Sequence, residues 1–168
     1  MTLAELNRMD PAEFTAALGI IFEHSPWVAE AAASAAPFAT IDALHATMLA
    51  AVHAAPAERQ LGFLRAHPDL AGKAARAGTM TAASITEQSS AGLLSLDDAE
   101  FDRFHRLNTA YRERFGFPFI IAVRRHTKES LLAAFETRLE HSRADEIGTA
   151  LAEIAAITRL RLDALIDG

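Results

Sequence analysis

Proton transfer near neutral pH needs an imidazole or a tuned carboxyl, and this sequence sets one histidine apart. His67 stands directly before Pro68. The residue before a proline is pushed out of the α region, so a helix must stop here and the imidazole is turned away from it, towards a cavity. The structural alternative is a histidine favoured by the dipole at a helix C-terminus. Further on come Ser84, Glu87 and Gln88. Ser84-x-x-Glu87 has the capping-box pattern, which alone explains both residues as the start of a helix. Gln88 and Ser89 make that turn unusually polar, and the free N–H groups of a helix start suit an anionic ligand. Glu87 would then be an acid or base facing that ligand. Arg161 is the third candidate. Ile147, Leu151, Ile154, Thr158, Arg161 and Leu165 recur at 4-3-4-3-4 spacing, which puts a guanidinium on an apolar stripe. There it either forms an internal salt bridge or clamps a substrate carboxylate.

Other groups carry less. Asp42-x-x-His45 and Asp102-x-x-His105 each set two metal-capable side chains one turn apart, but the matching acids of a di-metal bundle are missing, and solvated helix faces are the reading taken. No metal site is expected. There is no HExxH, P-loop, GxGxxG or GxSxG pattern.

Composition narrows the classes. The chain has 168 residues, enough to bury roughly 70% of its unfolded surface as one domain, residues 1–168. It has no Cys, which excludes disulfides, thiolate zinc sites and a Cys nucleophile. The net charge of −6 argues against nucleic-acid binding through phosphates. No apolar run approaches the ~20 residues of a membrane span. Residues 1–10 lack a basic region followed by an apolar block, and the C-terminus lacks a peroxisomal address. A cytoplasmic location is expected.

The elements that must position these groups read as helices. Thr2-x-x-Glu5 and Asp10-Pro11-Ala12-Glu13 are helix starts. Ser25-Pro26 opens a small helix that Trp27 is expected to anchor in the core. Thr40 caps a helix to about Ala54, and Pro56 opens one that should stop just before His67. Ser84 starts the next. Ser95 with Asp98 begins a long helix ended by Gly116. Residues 116–123, Gly-Phe-Pro-Phe-Ile-Ile-Ala-Val, have extended character but no partner strand. Thr127 and Ser142 begin the last two helices. The prediction is an all-α bundle of about eight helices with one extended segment.

The ordered set of motifs is specific. His67-Pro68-Asp69-Leu70, Ser84-x-x-Glu87-Gln88-x-x-Ala91-Gly92-Leu93, Leu107-Asn108-x-x-Tyr111, Phe115-Gly116-Phe117-Pro118-Phe119-Ile120 and Arg161-Leu162-x-x-Leu165 occur in this order. The set resembles the 2-oxo-4-hydroxy-4-carboxy-5-ureidoimidazoline (OHCU) decarboxylases of urate degradation over nearly the whole chain. The resemblance implies an all-α homodimer that decarboxylates OHCU to (S)-allantoin without a cofactor. It places the catalytic pair on His67 and Glu87. It places substrate binding on Pro68, Ser84, Gln88 and Arg161, and on the main chain at Phe119, Ile120 and Ile121. The chain departs from the pattern at Ala71, where Gly is usual, at Arg125, where a Gly often stands, and at His141, a common Asn. Another lyase or hydrolase on the same scaffold, or a non-catalytic helical ligand-binding or protein-interaction module, are the rival readings.

Overall fold

The computed structural model describes residues 1–167, the side chain of Arg76 excepted. Among the described residues there are ten α-helices, one 3₁₀ turn and no strand, apart from a single bridge between Thr2 and Asp167. The all-α prediction holds, with two helices more than the expected eight or so.

The chain divides into two units. The first comprises Met1–Ala66 and the chain from Ala155 onward. Its helix starts follow the sequence closely. Thr2 and Glu5 exchange side-chain bonds with each other's backbone N–H to start α1, Leu3–Leu6. Asp10 and Glu13 do the same for α2, Pro11–Leu18. The third helix, α3 (Trp27–Ala33), differs from expectation. Pro26 occupies its N-cap with helical dihedrals and makes no side-chain cap bond. Trp27 is only half-buried, with its ring against Phe63 and under the Arg59 guanidinium. Val28, Ala29 and Ala32 go inside instead, because α3 packs closely on α2 and on α4, and small side chains permit that approach. Thr40 caps α4 (Ile41–Ala54), which buries Leu44, Met48 and Val52. Then α5 (Ala57–Arg65) buries Phe63 and Leu64 and ends at Ala66, one residue before His67.

Two metal-capable groups of this unit have structural partners. Asp42 pairs with Arg159, which also holds Asp163. The His45 ring meets the Thr158 hydroxyl at 2.9 Å. Burial first, and then the Arg159 cation, hold the His45 pKa below its ordinary 6.5 against the opposite pull of Asp163 and Asp42. The folded chain therefore prefers neutral imidazole. That contribution to stability is complete above the ordinary pKa and is lost as pH falls below it towards the folded value. Denaturant midpoints should decline as the pH drops from about 7 to about 5, and His45→Gln should flatten that decline.

The second unit is His67–Ile154. It opens with a short helix the sequence did not announce, α6 (Lys73–Ala77), ended by Gly78 at φ +66°. Next comes α7, Ala82–Ser90. The long helix α8 (Asp98–Phe115) starts at Asp97, not at Ser95. Asp97 and Glu100 form a reciprocal, charge-assisted box, while the Ser95 hydroxyl bonds back to the Gly92 carbonyl. Gly116 at φ +82° ends α8. Residues 117–122 then run without regular structure, every one buried, into the 3₁₀ turn Val123–Arg125. Thr127 caps α9 (Lys128–Leu139), and Ser142 precedes α10 (Arg143–Leu165), whose residues from Ala155 belong to the first unit. The core of the second unit is aromatic. Tyr111 lies 4.6 Å from Phe115 and 5.2 Å from Phe119, and Phe119 stacks on Phe135 at 3.7 Å.

Candidate active site

His67 is 8% exposed and begins a loop secured at Asp69, Leu70 and Ala71. The Ala71 N–H donates to Gln88 Oε1 at 2.8 Å, and Gln88 Nε2 donates to the Asp69 carbonyl at 3.1 Å. Asn108 Nδ2 holds the Leu70 carbonyl at 2.8 Å. Arg112 Nε holds the Asp69 carboxylate at 2.8 Å. The loop behind the imidazole is thus tied to α7 by one residue and to α8 by two. Asn108 stands in the Leu107-Asn108-x-x-Tyr111 motif and Arg112 in none, and contact with the loop shows what each does.

Ala71 takes φ +51°, the left-handed conformation for which Gly is the usual residue. Its methyl is buried, and that burial offsets the backbone cost. Ala71→Gly should therefore stay within about 1 kcal/mol of neutral, since strain relief, chain entropy and the lost methyl oppose one another. Ala71→Val has no such balance. A branched side chain at this φ should cost about 1–3 kcal/mol, read as a lower denaturant midpoint at unchanged slope.

The expected capping box at Ser84 is not formed. Thr81 has the N-cap conformation, and its hydroxyl accepts from the Ser84 N–H at 3.3 Å. A better-placed hydroxyl three residues upstream takes the role, so Ser84 sits inside the first turn and Glu87 in mid-helix. Neither residue is explained as a cap. Ser84 is buried, Glu87 half-buried and Gln88 buried at 3%. Positions 84, 87 and 88 share one face of a helix. Gln88 meets the His67 loop, so that face is the one turned towards the loop.

Phe119, Ile120 and Ile121 are buried in the irregular segment of the same unit, and α7 lies beside the turn that follows it. Arg138 Nη1 donates to the Ile120 carbonyl at 2.7 Å, and the Ala122 N–H donates to Glu153 Oε2 at 2.7 Å. Arg138 also grips the fully buried Glu146 through Nε and Nη2, and Tyr111 donates its hydroxyl to the same carboxylate. Burial first, and then the bond to Glu146, push the Tyr111 phenol far up, so it stays a donor at neutral pH.

Arg161 belongs to the first unit. Its Nη1 donates to the Ile21 carbonyl and to Glu23 Oε2, both at 3.1 Å. The internal ion pair is therefore present, with Glu23 only 2% exposed. The buried stripe of α10 runs through Glu146, Ala150, Ile154, Ile157, Thr158 and Leu162, with Arg161 at its edge. A buried acid and an Ala hid the true centre of that stripe.

No cluster of three or more His, Asp or Glu suited to a metal occurs among the described residues. No helix among them is long and apolar enough to cross a membrane.

In fold, the chain matches the crystal structure of an (S)-allantoin synthase, with TM-score 0.79 and 38% identity over 99% of this chain and 55% of that one. It also matches, at TM-score 0.70 and 23% identity, an OHCU decarboxylase crystallised with (S)-allantoin, over 93% of this chain and 98% of that one. It therefore has the all-α fold of these enzymes. The OHCU decarboxylase family profile matches residues 7–163. The 2-oxo-4-hydroxy-4-carboxy-5-ureidoimidazoline decarboxylase of Haloferax volcanii is 48% identical over 96% of this chain and 94% of its own. The mouse protein of the same name is 42% identical over 99% and 93%. The chain belongs to the OHCU decarboxylase family.

Proposed function

We propose that this chain decarboxylates OHCU to (S)-allantoin without a cofactor, with His67 and Glu87 as its acid–base pair. The observation that supports this most is family membership along almost the whole chain. The resemblance read in the sequence puts His67, Ser84, Glu87, Gln88 and Arg161 in the family's motifs. The chemistry needs little more. OHCU carries a carboxylate and a hydroxyl on one ring carbon, beside a C=N bond. When the C–C bond to the carboxylate breaks, carbon dioxide leaves and the electron pair flows into the C=N, whose nitrogen takes a proton. The resulting enol loses its hydroxyl proton to become a carbonyl, and the neighbouring carbon takes a proton on one face.

His67 accepts the hydroxyl proton, and Glu87 delivers or positions the proton for carbon. Arg161, anchored by Glu23, holds the substrate's anionic or carbonyl groups. Ser84, Pro68 and the main chain of Phe119, Ile120 and Ile121 orient the ring and the ureido arm. Gln88 has its amide engaged with the loop, which supports a role in holding His67 in place beside any contact with substrate. One domain spanning residues 1–168, a homodimer and a cytoplasmic location complete the reading. The family match supports the first, the resemblance the second, and the lack of a targeting pattern in the sequence the third.

The test is the decay of freshly generated OHCU. Its rate should rise in proportion to added protein above the spontaneous rate. Decay that stays at the spontaneous rate at every protein concentration sinks the proposal.

A further inference from the structure

Residues 117–122 hold three of the proposed substrate contacts, yet no β-ladder fixes their main chain. Two long-range side chains do. Arg138 donates to the Ile120 carbonyl, and Glu153 accepts from the Ala122 N–H, each at 2.7 Å. These two groups lie on either side of Ile121. The Ile120 carbonyl shares a peptide with the Ile121 N–H, and the Ala122 N–H shares a peptide with the Ile121 carbonyl. A cation on the first makes the Ile121 N–H a stronger donor. An anion on the second makes the Ile121 carbonyl a stronger acceptor, since hydrogen bonds in a chain polarise one another.

Arg138 is itself fixed. Its guanidinium lies over the Phe119 ring at 4.3 Å and forks onto Glu146, whose other contacts are Tyr111 and His141.

We propose that Arg138 and Glu153 are positioning residues, which hold and polarise the main chain around Ile121 for substrate binding. The proposal rests on the function proposed above and adds two residues that act through the backbone. A planar fork is needed at Arg138, because one Lys nitrogen cannot serve Glu146, the Ile120 carbonyl and the Phe119 face together. Loss of Arg138 also weakens the fold, so Glu153, which is half-buried, carries the test.

Glu153→Leu removes the acceptor, and Glu153→Gln keeps a carbonyl in its place. In the full-length protein, Glu153→Leu should raise the KM for OHCU about tenfold or more, the worth of a charge-assisted hydrogen bond. Glu153→Gln should recover most of that loss. Amide exchange at Ala122 should quicken in Glu153→Leu while the helix amides keep their protection. A folded Glu153→Leu variant with wild-type KM and wild-type exchange at Ala122 overturns the proposal, as does a Gln variant no better than the Leu one. If the wild-type protein leaves OHCU untouched, the proposed function fails on its own. Exchange at Ala122 then still decides whether Glu153 holds this main chain.

Discussion

Replacing His67 with Asn should lower turnover of OHCU by about 10²- to 10⁴-fold, the usual worth of a positioned acid–base group. Asn keeps a hydrogen-bonding side chain but cannot exchange a proton near neutral pH. The loss should fall on kcat and leave KM within a few-fold, because the proton moves in the reaction and not on binding. The loop keeps anchors of its own. The loop after His67 is held through Ala71, Asp69 and Leu70 by Gln88, Arg112 and Asn108, none of which needs the imidazole. A thermal melt should show the Asn variant to be folded. An Asn variant with near-normal turnover would remove His67 from the mechanism.

The second large effect is on stability. Arg138→Ala should cost about 3–5 kcal/mol, because it strands a buried carboxylate. Glu146 has no exposed surface and relies on the Arg138 fork at 2.9–3.0 Å, with the Tyr111 hydroxyl and His141 as its remaining partners. For a chain of this length the melting temperature should fall by on the order of 10 °C. Removing both charges, as in Arg138→Met with Glu146→Leu, should restore much of that loss, since no unpaired ion is left behind. A single Arg138→Ala variant that melts with the wild type would show that the pair contributes little.

The helices were legible wherever the signal was local. Asp10-Pro11, Thr40 and Thr127 act on residues two or three positions away and start helices as read. The stop before His67 also held, because Pro68 constrains only its neighbour. Local patterns misled where two candidates competed. Ser84 and Ser95 each lost the cap to Thr81 and Asp97, so the plainest explanation of Ser84 and Glu87 disappeared once the helix start was known.

Partners distant in sequence were illegible. Arg138 lies seven residues after Leu131 on the buried side of α9, but Leu131, Leu132, Phe135 and Leu139 already form a helical apolar pattern that leaves it out. Glu146 looked like an ordinary acid in the first turn of α10, where the dipole favours one. Glu23, the anchor of Arg161, sits in a turn beside His24 at φ +48°, and no pattern pointed there. Gln88 was read as a polar residue facing a ligand, and its bonds to a loop 17 and 19 residues upstream became visible only in the fold.

The proposed reaction ends with a proton delivered to one face of the carbon. Circular dichroism of the allantoin formed from freshly generated OHCU tests it most directly. OHCU decays unaided to racemic allantoin, so only an optical signal that requires the protein counts as activity. (S)-Allantoin should form in clear excess with the wild-type protein, and a racemic product without it. Racemic allantoin in the presence of ample folded protein would contradict the proposed reaction.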